Sequence, residues 1–233
     1  GWLIASELIA CGIDLNFSPV LDLDQNSSSV IGDRAFSDQI DIVIDCARAF
    51  IYGMQEAGMA SVGKHFPGHG SIIEDSHIEK PVDNRSLVDI ESKDLIPFKE
   101  LINNLDGIMT SHIVFPEVDK DITTFSKRWV SEILKEEMEF QGMVFSDDLS
   151  MKGTKDYESF YEKTKQAIIS GCEMILICNN RKGVLDGIRY FEENQIKPSE
   201  KVFSMLMAND ISWINLEKDR RRIAISDKLE KLI

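Results

Sequence analysis

The chain has 233 residues, 43% hydrophobic and 28% charged, which is enough apolar mass for a domain with its own core and excludes a disordered or peptide-like chain. Asp and Glu number 40 against 26 Lys and Arg, a formal charge of -14, which argues against nucleic acid and anionic membrane as partners. No apolar stretch of about 18 residues and no secretory signal pattern is present, and Cys11, Cys46, Cys172 and Cys178 form no CxxC, so the chain reads as a cytoplasmic protein with buried, reduced thiols.

Residues 1–10 carry apolar side chains at helical period with neither an initiating Met nor a capping residue ahead of them, and read as a helix entered part-way, as in a processed chain or a piece of a longer one. Short apolar runs follow at 13–20, 60–66, 107–114, 143–146 and 174–178, each with a Gly at or just before its start. They are apolar on both faces and alternate with helical patterns, which predicts parallel strands joined by crossover helices in an α/β fold. The helix over 41–57 places Val43, Ile44, Ala47, Phe50, Ile51 and Met54 on one face, and that over 126–140 does so with Val130, Ile133, Leu134 and Met138. The tail, about 196–233, reads as two further helices of the same domain, the second ending in the charged run Lys218, Asp219, Arg220, Arg221 and Arg222, a solvated face.

In parallel α/β architectures a ligand sits beyond the carboxyl ends of the strands. There the second run ends in Lys64, His65, Phe66, Pro67, Gly68, His69 and Gly70, the third in Ser111 and His112, the fourth in Ser146, Asp147 and Asp148, the fifth in Asn179, Asn180 and Arg181. His65 and His69 have a metal-ligand spacing only on a helix, which Pro67, Gly68 and Gly70 oppose; the alternative is that Lys64 and His65 donate hydrogen bonds to a polyhydroxylated ligand. Asp75 stands two residues before His77, where a carboxylate can fix an imidazole tautomer for acid–base work or merely cap a turn. Asp147 and Asp148 are neighbours on a strand and should point to opposite faces, one a candidate nucleophile and the other a cap; alternation does not choose between them.

The motifs KHFPGHG (64–70), DSH (75–77) with Pro81, and FSDDLSM (145–151), together with GIDLNFSPVLD (12–22), IGDR (31–34) and ICNNR (177–181), resemble the bacterial β-N-acetylglucosaminidases of glycoside hydrolase family 3 up to about residue 185. The resemblance implies a (β/α)8 TIM-type barrel, of which this chain carries about the last five βα units, earlier units supplying the remaining strands and a further Asp and Arg. It implies release of terminal β-linked N-acetylglucosamine, notably from muropeptides in cytoplasmic cell-wall recycling, with retained configuration and no metal or other cofactor. Asp147 then matches the nucleophile that forms a covalent glycosyl-enzyme, Asp75 and His77 an acid/base dyad, and Arg34, Lys64 and His65 the residues holding sugar hydroxyls. The competing expectations are an inactive sugar-binding remnant and a metal-dependent hydrolase using His65, His69 and His77.

Overall fold

The computed structural model describes residues 1–25, 31–69 and 81–231. Helix α1 (Trp2–Ala10) packs on α2 (Ile40–Ala57), whose face of Val43, Ile44, Ala47, Ile51 and Met54 is buried as the periodicity predicts. Helix α2 stops at Gly58, where φ is 93°, a left-handed turn that a Cβ would oppose.

Strand β1 (Val62–Phe66) follows, then α3 (Leu87–Glu91), α4 (Ile96–Leu101) and β2 (Gly107–Thr110). A short hairpin of β3 (Val114–Phe115) and β4 (Asp119–Ile122) leads to a π-helical segment, Arg128–Glu137, that buries Trp129, Val130, Ile133 and Leu134. The chain continues through β5 (Met143–Asp148), α5 (Phe160–Ser170), β6 (Met174–Leu176) and α6 (Arg181–Glu193). Strands β1, β2, β5 and β6 form one parallel sheet in that order, each paired with the next in sequence, which is the strand order of a (β/α)8 barrel.

The predicted strand at 13–20 is not a continuous strand. It touches β1 through parallel bridges at Leu15–Ala60 and Val20–Lys64, with Val62 N–H donating to Ser18 O and Leu21 N–H to Lys64 O, both at 2.7 Å. Pro19 has no N–H to offer a ladder, so the segment lies along the sheet without completing one.

Apolar side chains cover both faces of the sheet, as a parallel sheet requires. On one side Phe66, Phe98, Phe115 and Trp129 interlock, with ring centroids 5.1–6.0 Å apart. On the other, Val62, Met109, Met143 and Phe145 meet Leu15 and Phe17. Two departures from regular register sit near the strand ends: between Lys64 and Phe66 in β1, and between Phe145 and Asp148 in β5. Such bulges re-aim side chains where a regular pleat would turn them away.

The tail carries two helices as expected, but the charged run opens the second instead of ending it. A 3-10 segment, Glu200–Met205, precedes α7 (Trp213–Leu216) and α8 (Arg220–Leu229), and the arginine run begins α8 because Asp219 caps it, accepting from the N–H groups of Arg221 and Arg222. The tail straps the amino ends of the strands: Lys201 Nζ donates to Gly142 O (3.1 Å), Ala208 N–H to Gly58 O (2.8 Å) and Met207 N–H to Asp14 (3.3 Å). Arg222 and Arg221 then pair with Glu7 and Glu56. All four thiols are free, but only Cys172 is buried; Cys11, Cys46 and Cys178 are exposed, against the sequence expectation. No helix among the described residues is long and apolar enough to cross a membrane.

Candidate active site

The carboxyl ends of β1 and β5 face a cavity of ≈ 220 Å³ lined by Arg34, Lys64, His65, His69, Asp147 and Asp148, with Phe17, Met109 and Leu176 among its apolar wall. The bulge in β1 explains why the consecutive Lys64 and His65 both reach it while Phe66 stays in the core. The bulge in β5 likewise brings both Asp147 and Asp148 to the cavity, where strict alternation allows one.

The two carboxylates nevertheless differ in what they touch. Asp148 Oδ1 accepts from the N–H groups of Ser150 and Cys178, each at 2.9 Å, and its Oδ2 from the Ser150 hydroxyl at 2.5 Å, so this side chain ties down the loop after β5. Asp147 accepts from Asp148 N–H at 2.7 Å and otherwise faces the cavity. Burial alone would raise its carboxyl; positive charge on the His112 and His65 rings in the acid range where a carboxyl titrates, the Asp148 N–H and the Lys64 ammonium outweigh that and hold it below its ordinary 3.8. An ionised carboxylate results at neutral pH. Beside it, Lys64 is pushed down chiefly by burial and then by Arg34, an effect that Asp147 and Asp22 partly offset.

Asp22, to which the sequence reading gave no role, organises this wall. It is 1% exposed and accepts from His65 Nδ1 at 2.7 Å, from His65 N–H at 3.2 Å and from His69 N–H at 2.7 Å. A carboxylate only accepts, so Nδ1 carries the hydrogen and Nε2 of His65 is turned toward Arg34 Nη2, 3.5 Å away. Burial would raise the Asp22 carboxyl, but His65, through charge and hydrogen bond, and His69 bring it below 3.8. Its signal in the sequence was faint: a lone Asp at the end of an apolar run, with its partner 43 residues away.

Arg34, Lys64, His65 and Asp147 therefore meet in one cavity. Asp75 and His77 lie outside the described residues. Asn179, Asn180 and Arg181 do not line the cavity; Asn180 instead caps α6, accepting from Gly183 N–H at 2.9 Å. His112 sits buried beneath the rim. His65 and His69 meet edge to face at 5.9 Å with Nδ1 of His65 committed to Asp22, and among the described residues no group of three or more His, Cys, Asp or Glu is placed to hold a metal ion.

The sequence profile of the glycosyl hydrolase family 3 N-terminal domain matches residues 1–205. This chain belongs to glycosyl hydrolase family 3. Relatives of the family 3 domain include a β-hexosaminidase of Tolumonas auensis, 46% identical over 226 residues and matched over 95% of this chain and 66% of its own length. A β-hexosaminidase of Haemophilus influenzae is 44% identical over 229 residues, covering 95% of this chain and 65% of its own. Among solved structures, native NagZ from Neisseria gonorrhoeae superposes with a TM-score of 0.83 at 36% identity, over 94% of this chain and 64% of NagZ. The same enzyme in complex with N-trifluoroacetyl-D-glucosamine gives 0.83 at 35% identity, over 95% and 64%. This family 3 chain thus spans slightly under two thirds of these relatives' length.

Proposed function

We propose that the protein is a retaining exo-β-N-acetylglucosaminidase that removes terminal N-acetylglucosamine from muropeptides in cytoplasmic cell-wall recycling. The observation that carries the reading is the Asp147 carboxylate, facing a cavity shared with Lys64, His65 and Arg34 and held on one oxygen by the Asp148 N–H. The β-hexosaminidase relatives and the NagZ complex with an N-acylated glucosamine support the choice of sugar.

Asp147 Oδ1 is engaged by the Asp148 N–H, so attack on the anomeric carbon falls to Oδ2. As that bond forms, the bond to the departing oxygen breaks and His77, oriented by Asp75, supplies the proton; water then attacks the glycosyl-enzyme while His77 takes a proton back. Lys64, His65 and Arg34 hold the hydroxyls and keep the ring in line. The geometry of Asp147 also fits a two-carboxylate scheme only poorly, since the neighbouring Asp148 is saturated by Ser150 and Cys178.

Turnover of a 4-nitrophenyl β-N-acetylglucosaminide, followed by trapping with a fluorinated amino sugar and peptide mapping, tests the reading. Label on Asp147 and loss of turnover in Asp147→Ala are expected. His77→Ala should harm poor leaving groups far more than nitrophenyl ones, and a chelator should change nothing. Label on another side chain, or activity abolished by the chelator, overturns the assignment.

A further inference from the structure

His112 is wholly buried yet bonded at both ring nitrogens: Nδ1 lies 2.8 Å from Thr124 Oγ1 and Nε2 lies 3.0 Å from the Asp148 carbonyl oxygen. A carbonyl can only accept, so Nε2 carries hydrogen. In the neutral ring Nδ1 is then an acceptor, and Thr124 must donate to it. Thr124 has a single hydroxyl hydrogen and receives in turn from Thr110 Oγ1, 2.8 Å away. A one-directional chain results, Thr110 to Thr124 to His112 to the Asp148 carbonyl, crossing from β2 to the end of β5.

Asp148 is thereby gripped on three sides. Its N–H donates to Asp147, its carboxylate accepts from Ser150 and Cys178, and its carbonyl accepts from His112. Thr124 is itself fixed, its carbonyl accepting the Ser170 hydroxyl at 2.6 Å from the end of α5. We infer that His112 is a positioning residue which, through an Nε2–H fixed on the Asp148 carbonyl and an Nδ1 held by Thr124 and Thr110, keeps Asp148 and hence the Asp147 carboxylate in line for attack. The inference rests on the reading of Asp147 as nucleophile given above.

Charge around the ring agrees with a neutral imidazole. Burial pushes His112 below its ordinary 6.5, and Asp147 and Asp148 on β5 offset this in part while Lys163 on α5 adds to it. The network also tolerates the other protonation state. If Nδ1 gained a hydrogen, Thr124 could turn its own toward Ser111 O, 2.9 Å away, and Thr110 toward Phe145 O at 3.2 Å, leaving nothing orphaned. Thr124 therefore anchors the ring in either state, while the Asp148 carbonyl keeps the hydrogen on Nε2.

Thr124→Val keeps the shape and removes the hydroxyl that anchors Nδ1, whereas Thr124→Ser keeps the hydroxyl. In the intact protein T124V should lower kcat by about 10- to 100-fold, the scale of a small misplacement of a reacting group, with KM nearly unchanged, and T124S should restore most of it. H112Q, whose amide can reach the Asp148 carbonyl, should retain more turnover than H112A. Ring ¹⁵N shifts of His112 in the parent protein should show a bare Nδ1 and a protonated Nε2 at neutral pH. The opposite tautomer overturns the inference, as does a folded T124V with parental kcat. Failure of the parent to hydrolyse the chromogenic sugar would instead count against the proposed activity, and the nitrogen shifts would still decide the tautomer.

Discussion

Asp22 offers the sharpest test of how the wall of the cavity is held. Replacing it by Ala strands three buried donors, the N–H groups of His65 and His69 and the Nδ1–H of His65. Each buried donor left without an acceptor costs about 1–3 kcal/mol. Water entering the vacated space keeps the total toward the lower end of that range, about 3–5 kcal/mol for the three donors together. At about 2–4 °C per kcal/mol for a domain of this size, Asp22→Ala should melt roughly 6–20 °C below the parent by calorimetry. Asp22→Asn can still accept both N–H groups through its carbonyl oxygen and should lose about 1–3 kcal/mol, the share of the ring nitrogen. Because that substitution releases the His65 ring, it should raise KM for the chromogenic sugar by about tenfold, equivalent to about 1.4 kcal/mol of binding. The sign with pH follows from the lowered carboxyl: its stabilisation is complete above 3.8 and is lost as pH falls through the lower native value, so the variants should differ least from the parent in strong acid. Melting within about 2 °C of the parent in both variants, with KM unchanged, would refute the argument.

His69 and His112 are both held below 6.5 by burial, so the unfolded chain binds more protons than the native one as pH drops beneath that value. Urea midpoints should therefore fall as pH drops below 6.5; a midpoint that rises on acidification from neutral pH would contradict this. A thiol reagent should find Cys11, Cys46 and Cys178 in the native protein and Cys172, buried and pushed up to about 12, only after unfolding. Cys178 should react slowest of the three, its thiol raised by burial and by Asp148, and N-acetylglucosamine should protect it because it lines the cavity. Gly58→Ala forces a Cβ to within 2.6 Å of Asn209 Nδ2 at a φ of +93°, which should destabilise by about 1–3 kcal/mol and leave turnover per folded molecule unchanged.

Strands β2 and β5 were legible because a strand buried on both faces writes an apolar run, β1 and β6 because short apolar runs follow a Gly at the expected spacing, and α2 because its stripe repeats over several turns. The segment at 13–20 carries the same run, but Pro19 removes a ladder donor, so its pattern overstated its regularity. The tail was misread for the opposite reason: Asp219 places a helix start where charge density alone suggested an end. Lys64, His65 and the Asp147–Asp148 pair were marked by their place at strand ends, and Arg34 by the resemblance, and all line one cavity; the relation between the two carboxylates was not legible, because a bulge is a property of two paired strands and leaves no mark on either alone. The partnerships of Asp22 with His65 and of His112 with Thr124 were not legible for a related reason. Their meaning lies in a partner distant in sequence, and no local period encodes it.

The strap formed by residues after Ser199 lies at the amino ends of the strands, opposite the cavity. Chemistry and fastening are thereby kept at separate poles of the sheet. Selection or engineering can tighten or loosen the lower pole, through Lys201, Asn209 or the two arginine pairs, and change how long the molecule survives heat while the reacting groups keep their places.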